Sequence, residues 1–320
     1  MKTNLHLLGG SGRIGSAIYE SIINFPEEYL NNVWIYCNGN TANQYNSTKI
    51  SQNPKIKFVN YSAFGSQFSI INDSIEKKDK NIILNLRGVN DKKSWLNKPI
   101  ESLDLQIKSC KSIIDSEIWM YPNSEIIHFS SQLCNLVEDN YSFDEVCEGE
   151  DNYRRSYIIS RLHQESLLTA YAFKYGIDTK FLRLPFVYGF DTDMNNPWVL
   201  NSLVMQYINN GRIELRKPES FAWFIHKDYL IKYLINLISN LTPYQMTSQT
   251  VSYPKCPMIG IQVKFLSKFI IKCINDKNVN LNSELENNLK LVEINNKKDL
   301  EEQINHLTSS IISIYKYAKH

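Results

Sequence analysis

The stretch LGGSGRIG at residues 8–15 decides the fold of this chain. It follows a short apolar run, and apolar side chains at helical spacing come after it: Ile14, Ala17, Ile18 and Ile22. The pattern predicts a strand, a glycine turn and a helix. Glycines at positions 9, 12 and 15 let the backbone turn tightly and approach a pyrophosphate, whose charge the N-terminus of a helix favours. The stretch therefore indicates a nucleotide cofactor.

Strands and helices alternate along the first half of the chain. Short apolar runs predict strands at Thr3–Leu8, Val33–Cys37, Ile56–Val59, Asn81–Leu86, Glu125–Ser130 and Thr179–Arg183. Helical patterns lie at Gly12–Ile23, Gln67–Lys77, Ile100–Ser116 and Tyr153–Tyr175. Helices of this length between strands predict right-handed βαβ units. We therefore predict an α/β fold, a doubly wound parallel sheet of the Rossmann type, with residues 1–184 forming the NAD(P)-binding domain.

Beyond residue 184 the pattern loosens, because prolines interrupt it repeatedly. Helical spacing returns at Pro197–Asn210, Lys227–Ser239, Ile261–Asn275 and Leu300–Lys319. We predict that residues 185–320 form a smaller, mixed C-terminal lobe that binds the substrate and that can be interleaved with the first domain.

Composition excludes several classes of function. A formal net charge of +2 over 320 residues gives no basis for binding nucleic acid or an anionic membrane. The six cysteines show no CxxC pair and no metal-ligand spacing, which favours reduced thiols and no metal. We see no leader pattern and no apolar run of about 18 residues. We therefore predict a cytoplasmic protein.

Three further segments place polar side chains where a ligand would bind. Ser130 and Ser131 end a buried-strand pattern, and the carboxyl ends of parallel strands line the ligand crevice. Tyr157 and Arg161 lie four residues apart, on one face of a predicted helix. Residues 181–189 close a strand with a proline and a glycine.

Together these motifs resemble those of the extended short-chain dehydrogenases/reductases, the NAD-dependent epimerase/dehydratase family of nucleotide-sugar enzymes. The similarity runs in order over roughly residues 3–235. The glycine motif of the family matches Gly9, Gly12 and Gly15, and its catalytic hydroxyl matches Ser131. Its YxxxK motif matches Tyr157 and Arg161, and the glutamate on the same helix matches Glu165. Its RxxNVYG segment matches Arg183–Gly189, and its FIHVDD segment matches Phe224–Tyr229.

The resemblance implies proton and hydride transfer at a carbinol or carbonyl carbon. Tyr157 would exchange the proton with the sugar oxygen, Ser131 would hydrogen-bond that oxygen, and the cofactor would exchange hydride. A nearby cation favours the phenolate of a tyrosine, whose usual pKa is about 10. The predicted catalytic residues are therefore Ser131, Tyr157 and Arg161.

The departures from the family pattern leave two interpretations open. Arg161 replaces the family lysine; it keeps the charge but cannot join a proton relay, so it supports either altered catalysis or cofactor anchoring in an inactive relative. Phe186 and Ala222 stand where the family has asparagine and, nearby, a phosphate-binding arginine. Arg212 and Arg216 are candidate substrate-binding cations, or else solvated charges.

The second predicted strand ends without the acidic residue that holds the ribose in NAD-binding proteins. Arg13 in the glycine loop could pair with a 2′-phosphate, so NADP is favoured and NAD remains open. Arg87 stands where the family has a small residue, and points either to the cofactor or to solvent. The predicted cofactor-binding residues are Gly9, Ser11, Gly12, Arg13, Ile14, Gly15, Asn38, Leu86, Arg87, Tyr157 and Arg161.

The resemblance implies an NAD(P)-dependent oxidoreductase acting on a sugar. We expect a 4-reductase of a nucleotide-activated keto-deoxysugar in surface-polysaccharide biosynthesis. The alternatives are a nucleotide-sugar epimerase and a catalytically weak dinucleotide-binding sensor or scaffold. Gln132 and Leu133 follow Ser131 where a 4,6-dehydratase has an acidic pair, which argues against dehydration. The family also suggests a homodimer formed through the helix that carries Tyr157.

Overall fold

The computed structural model describes residues 3–22, 30–38, 54–61, 80–89, 92–115, 123–138, 153–189, 199–215, 218–239, 251–276, 289–294 and 297–319. The chain divides into two compact units. The first unit comprises Met1–Leu184 and Ile235–Pro254, and the second comprises Pro185–Leu234 and Lys255–His320.

The first unit is a parallel sheet flanked by helices. Its strands are β1 (Thr3–Leu8), β2 (Leu30–Asn38), β3 (Ile56–Tyr61), β4 (Lys80–Asn85), β5 (Ser124–Ser131), β6 (Asp178–Leu184) and β9 (Val251–Ser252). Its helices are α1 (Arg13–Ile22), α2 (Lys92–Asn97), α3 (Pro99–Ile114), α4 (Leu133–Glu138) and α5 (Tyr153–Tyr175). The strand order is β3-β2-β1-β4-β5-β6-β9, and every pair is parallel.

This order is that of a doubly wound sheet, so the predicted fold class is confirmed. The chain moves outward from β1 to β3 and then returns to β4 on the other side of β1. Helices can cover both faces of such a sheet, which explains why β4 and β5 are buried along their whole length. The crevice for a ligand opens at the carboxyl ends of β1 and β4, where the order reverses.

The predicted elements of this unit match the observed ones to within a few residues, apart from the helix predicted at Gln67–Lys77, which lies outside the described residues. The helix α5 begins and ends where the spacing predicted, at Tyr153 and Tyr175. The short helices α2 and α4 were not predicted, because six residues are too few to show a helical period.

The second unit is built on a mixed sheet. Its strands are β7 (Phe186–Tyr188), β8 (Phe221–His226), β10 (Met258–Gln262) and β11 (Leu289–Val292), in the order β11-β10-β8-β7. The pair β7–β8 is parallel and the other two pairs are antiparallel. The helices are α6 (Val199–Asn210), α7 (Lys227–Ser239, whose last residues belong to the first unit), α8 (Val263–Asn275) and α9 (Lys297–Lys319).

The helix predicted from Ile261 starts later than expected. Ile261 and Gln262 pair with Ala222 and Phe221 of β8. They therefore belong to β10, and α8 begins at Val263. Continuous apolar runs of this length fit a strand as well as a helix. This correction explains why the sequence did not reveal the sheet of the second unit.

Each unit has its own apolar core. In the first unit, Trp34, Ile126 and Phe181 belong to a buried cluster beneath the sheet. In the second unit, helices α6, α8 and α9 contribute Val204, Ile270 and Ile304 to another. Of the described helices, not one is both long enough and apolar enough to span a bilayer.

Candidate active site

The glycine loop closes tightly on the end of the first strand. The amides of Gly9 and Gly10 both donate to the carbonyl of Tyr36, at 3.3 and 3.2 Å, which fastens the loop to β2. Gly9 has φ +86°, in the left-handed region that glycine adopts without strain. The amide of Gly12 then donates to the carbonyl of Gly9 at 3.0 Å, and α1 starts at the next residue.

This loop has no room for side chains at two positions. A Cβ on Gly15 would lie 2.4 Å from the carbonyl oxygen of Gly9, and one on Gly10 would lie 2.3 Å from a methyl carbon of Ile35. The backbone therefore forms a bare cradle at the N-terminus of α1, which fits a dinucleotide pyrophosphate. Gly10 was not among the predicted site residues, since the family motif leaves its position open.

The loop after β4 lies against the same cradle. The amide of Leu86 donates to the carbonyl of Leu8 at 3.0 Å, so the two strand ends are joined there. Arg87 is half-buried, and its Cγ lies 3.4 Å from the position that a Cβ on Gly9 would occupy. Arg87 therefore runs beside the glycine loop. Its role toward the cofactor, like the roles of Ser11, Arg13, Ile14 and Asn38, stays a prediction.

Ser131 ends β5 at the carboxyl edge of the sheet and is buried. Its Oγ accepts the backbone N–H of Leu133 at 3.3 Å, so its own hydrogen can be donated elsewhere. The preceding Ser130 donates to Oε1 of Glu165 at 2.5 Å. The two adjacent hydroxyls thus differ: Ser130 ties the strand to α5, whereas the role of Ser131 toward a ligand stays a prediction.

A buried ion pair locks α5 to the end of the sheet. Arg183 on β6 donates from Nε to Oε1 of Glu165 at 3.0 Å and from Nη2 to Oε2 at 2.6 Å. Its Nη1 donates to Oδ1 of Asn135 at 2.8 Å, and its guanidinium lies 4.6 Å from the ring centroid of Tyr253. A bidentate pair of this kind fixes orientation as well as distance. The sequence pointed to Glu165 and Arg183 separately but not to their pairing.

Tyr157 lies in the N-terminal part of α5. A crossover helix runs opposite to the parallel strands that it joins, so this end of α5 lies at the carboxyl edge, as Ser131 does. The Tyr157 ring is half-buried and meets Trp95 edge-on, with centroids 6.3 Å apart. The guanidinium carbon of Arg161 lies 5.3 Å from the centre of the Tyr157 ring. A permanent cation therefore lies beside the phenol.

Arg161 is buried and is directed into the protein by its hydrogen-bond partners. Its Nη1 donates to the carbonyl of Phe129 at 3.3 Å and to Oε1 of Gln164 at 3.0 Å. Gln164 is held in turn, because its Nε2 donates to the carbonyl of Gln106 at 2.9 Å and to Oγ of Ser109 at 2.7 Å. No motif in the sequence indicates Gln164, since its role depends on the contact between two separate helices, α3 and α5.

Gly88 makes room for this arginine. A Cβ on Gly88 would lie 3.1 Å from both terminal nitrogens of Arg161 and 2.2 Å from Oε1 of Gln106. Gly88 lies in the loop after β4, next to Arg87. The glycine and the buried guanidinium therefore fit each other.

His128 belongs to the buried core of the first unit. It is fully buried, and the side-chain amide of Asn85 lies 2.9 Å from its Nδ1. Burial lowers the pKa of His128 to about 3, and the charge of Arg161 acts in the same direction. His128 is therefore neutral at neutral pH.

The residues predicted to bind substrate lie in the second unit or outside the described residues. Arg212 is 76% exposed and donates to Glu214 at 2.7 Å. Arg216 lies outside the described residues. Phe186 packs edge-on against Phe224 in the core of the second unit, so the residue that replaces the family asparagine has a packing role here.

The glycine cradle at the switch point of a doubly wound sheet, with a serine, a tyrosine and a cation at the same edge, defines a dinucleotide-dependent enzyme of the short-chain dehydrogenase type. More narrowly, the chain belongs to the NAD dependent epimerase/dehydratase family, whose family model matches residues 5–217. No curated protein matches the chain in a sequence comparison.

Solved structures of the same fold cover nearly the whole chain. One is a UDP-N-acetylglucosamine 4-epimerase from Methanobrevibacter ruminantium M1 in complex with UDP-N-acetylmuramic acid (TM-score 0.65, 18% identity, covering 98% of this chain and 99% of that one). Another is a UDP-glucuronic acid 4-epimerase from Bacillus cereus in complex with NAD (0.61, 15%, 100% and 99%). A third is the enzyme WbmF from Bordetella bronchiseptica in complex with NAD+ (0.59, 13%, 99% and 92%). At these identities the likeness shows the fold.

Proposed function

We propose that the protein is an NADP-preferring oxidoreductase that reduces the 4-keto group of a nucleotide-activated deoxysugar, in the biosynthesis of a surface polysaccharide. The observation that carries the proposal is the pairing of Tyr157 with the Arg161 guanidinium, 5.3 Å from its ring centre, at the sheet edge that also carries Ser131.

Each residue has a distinct task in this proposal. Tyr157 gives its proton to the sugar oxygen as that oxygen becomes a hydroxyl, and Arg161 stabilises the phenolate left behind. Ser131 donates a hydrogen bond to the same oxygen, since its contact with the amide of Leu133 uses one of its two lone pairs and leaves the hydroxyl hydrogen for the sugar. Arg161 cannot pass on a proton, so Tyr157 is reprotonated from solvent. The nicotinamide, when bound, supplies the hydride.

The preference for NADP rests on the end of β2. That strand finishes at Asn38, and an amide there removes the repulsion that a carboxylate would exert on a 2′-phosphate. Arg13, the first residue of α1, supplies a cation at the adjacent loop. NADPH is an exchangeable reductant, which fits a net reduction.

A nucleotide-sugar 4-epimerase is the second candidate, favoured by the names of two of the structural neighbours. An epimerase oxidises and then re-reduces the same carbon, so it has no net need for an exchangeable cofactor. Dinucleotide that co-purifies with the protein and resists dialysis would favour the epimerase over the reductase.

The first experiment is a fluorescence titration of the purified protein with NADPH and with NADH, in the wild type and in Arg13→Ala. We expect tighter binding of NADPH and a selective loss of that preference in the variant. Equal affinities in the wild type would contradict the NADP assignment. Binding of neither, after co-purified cofactor has been excluded by absorbance, would overturn the enzyme proposal.

The catalytic assignment is tested by hydride exchange with 4-keto nucleotide sugars. We expect Tyr157→Phe to lose turnover by about a hundredfold or more while it still binds cofactor, because general acid catalysis contributes on that scale. Tyr153→Phe, one turn earlier on α5, is the matched control and should keep its activity. Tight cofactor binding without exchange in the wild type would favour the sensor or scaffold instead.

Arg212 and Arg216 remain the proposed contacts to the substrate phosphates. Arg212 is exposed, so its replacement should not disturb folding. We expect Arg212→Ala to raise KM for a nucleotide sugar while kcat changes little, as happens when binding is lost equally from the ground and transition states.

We also propose a cytoplasmic homodimer. Apolar side chains are exposed on α3 and α5, with Ile100 at 83%, Leu103 at 37% and Ile159 at 43%. Ile158 and Leu168 are buried instead and serve the core. Light scattering should show a dimer that Ile100→Lys converts to monomer, while Tyr317→Lys on α9 leaves it intact.

The described cysteines are all free, in keeping with a reducing compartment.

A further inference from the structure

Three side chains of types that can bind metal ions meet in the second unit, whereas the residues proposed for catalysis belong to the first. His226 ends β8, Asp228 lies in the first turn of α7, and His306 lies on α9. One donor atom from each falls within 4.8 Å of the other two. The imidazole of His226 stacks on that of His306, with centroids 4.1 Å apart and 12° between the planes.

One of the three side chains is buried, and the other two are accessible to solvent. The side chain of His226 is 6% exposed, whereas that of Asp228 is 61% exposed and that of His306 is 35% exposed. Gly189 makes room for the buried ring, since a Cβ there would lie 2.2 Å from Nε2 of His226. His226 is therefore held in place, while the other two can adjust from the solvent side.

Two electron-pair donors, a ring nitrogen and a carboxylate oxygen, lie close together inside this group. The backbone N–H of Asp228 donates to Nδ1 of His226 at 3.4 Å, so that nitrogen carries a lone pair, which this long hydrogen bond engages. Oδ2 of the Asp228 carboxylate lies 3.5 Å from the same nitrogen. A metal ion that took the place of the long hydrogen bond at Nδ1 would lie between these two atoms. Ligands 2.0–2.1 Å from a tetrahedral zinc ion are about 3.4 Å apart, which matches the observed spacing.

We propose that His226, Asp228 and His306 bind one divalent transition-metal ion of the zinc class. Two imidazoles with a single carboxylate select such an ion over magnesium or calcium, which prefer oxygen ligands. Three protein donors leave one tetrahedral position for water, at the open side next to Asp228.

The surroundings supply an outer layer of support for this site. Oε1 of Glu302 lies 3.9 Å from Nε2 of His306, one helical turn away, and can orient that ring. Glu302 is itself fixed, because its Oε2 accepts the hydroxyl of Tyr229 at 2.7 Å. To complete the site, the half-exposed His306 ring turns out of its stack toward Asp228. The bound ion then joins the β8–α7 junction to α9.

The test uses the full chain, stripped with a chelator and titrated with Co²⁺, whose visible absorption reports four-coordination. We expect one ion per chain, and Zn²⁺ that displaces it and raises the unfolding temperature. Asp228→Asn and His306→Asn should each weaken Co²⁺ binding by more than about tenfold. His163→Asn, which removes an exposed histidine on α5, is the matched control and should bind as the wild type does.

Equal Co²⁺ affinity in all four proteins would overturn the proposal, as would the lack of any Co²⁺ band in the wild type. Circular dichroism of each variant separates lost binding from lost folding, and Asp228→Asn is nearly isosteric at an exposed position. None of these readouts uses the cofactor or a sugar, so the outcome is independent of the proposed function.

Discussion

The two units differ in where they place their charged side chains. The first unit buries charged groups around its candidate site and pairs them, as Glu165 and Arg183 show with side chains 4% and 7% exposed. The second unit buries mainly apolar side chains, and one of its ion pairs, Lys264–Glu219, lies at the surface, 38% and 69% exposed. The difference indicates that directed polar bonds fix the geometry of the first unit, whereas packing shapes the second.

The strongest test of this contrast breaks the buried pair. Glu165→Gln leaves the Arg183 guanidinium buried without its counter-charge, so we expect a loss of about 3–5 kcal/mol in the free energy of unfolding. Urea unfolding measures the loss. Replacing both partners with leucine should cost less than the single change, because no charge is then stranded. A double variant less stable than Glu165→Gln would contradict this account.

The second test compares two glycines of the second unit. Gly189 has φ +97°, and a Cβ there would collide with the buried His226 ring; Gly211 has φ +67° with open space around it. Backbone strain alone costs about 1–2 kcal/mol, and overpacking adds about 1–3 kcal/mol. We expect Gly189→Ala to cost about 3 kcal/mol and Gly211→Ala about 1 kcal/mol, measured by thermal unfolding. Equal losses would mean that packing around His226 is loose.

The third test concerns acid stability. Burial lowers the pKa of His6 and of His128 to about 3, while both take up protons near pH 6.5 in the unfolded chain. The unfolded state therefore binds more protons below pH 6.5, and stability falls as the pH drops from there toward 3. At pH 5.5 each histidine should cost about 1 kcal/mol relative to pH 7.5.

Urea midpoints at the two pH values, in the wild type and in His128→Asn, check this expectation. The asparagine lowers stability at both pH values. The difference in the free energy of unfolding between the two pH values should become smaller by the contribution of one histidine, about 1 kcal/mol. An unchanged pH difference would show that His128 does not resist protonation.

The smallest effect is expected at the surface of the second unit. Lys264→Ala removes the partner of Glu219, and exposed pairs contribute about 0–1 kcal/mol. We expect a change of about 0.5 kcal/mol or less that disappears in 1 M salt. A loss comparable to that of Glu165→Gln would erase the distinction between the units.

The sequence predicted the first unit well because its signals are local. The glycine loop, the apolar runs of β1 and β4, and the helix Tyr153–Tyr175 each show their period within a single segment. The second unit was predicted less well, because the strand Phe221–His226 becomes a strand only by pairing with β7 and β10. Pairings between distant segments leave no mark in either segment alone.

The residues of the candidate site that belong to sequence motifs were predictable. The residues whose role depends on contacts between distant segments were not. Ser131, Tyr157 and Arg161 follow from motifs, and the structure places Ser131 and Tyr157 at one sheet edge. Gln164 has no motif, because its amide links Arg161 to the carbonyl of Gln106 on another helix. The pairing of Glu165 with Arg183 likewise joins residues whose nearness only the fold creates.

The seating of Arg161 has an evolutionary consequence. Its guanidinium occupies the space that Gly88 leaves open and satisfies both Phe129 and Gln164. A lysine at position 161 would carry its charge on one nitrogen and would not fill the space beside Gly88 that the two terminal nitrogens of the guanidinium occupy. An exchange of arginine for the lysine of the family motif is therefore not a neutral step for this chain, because the space beside Gly88 fits a guanidinium.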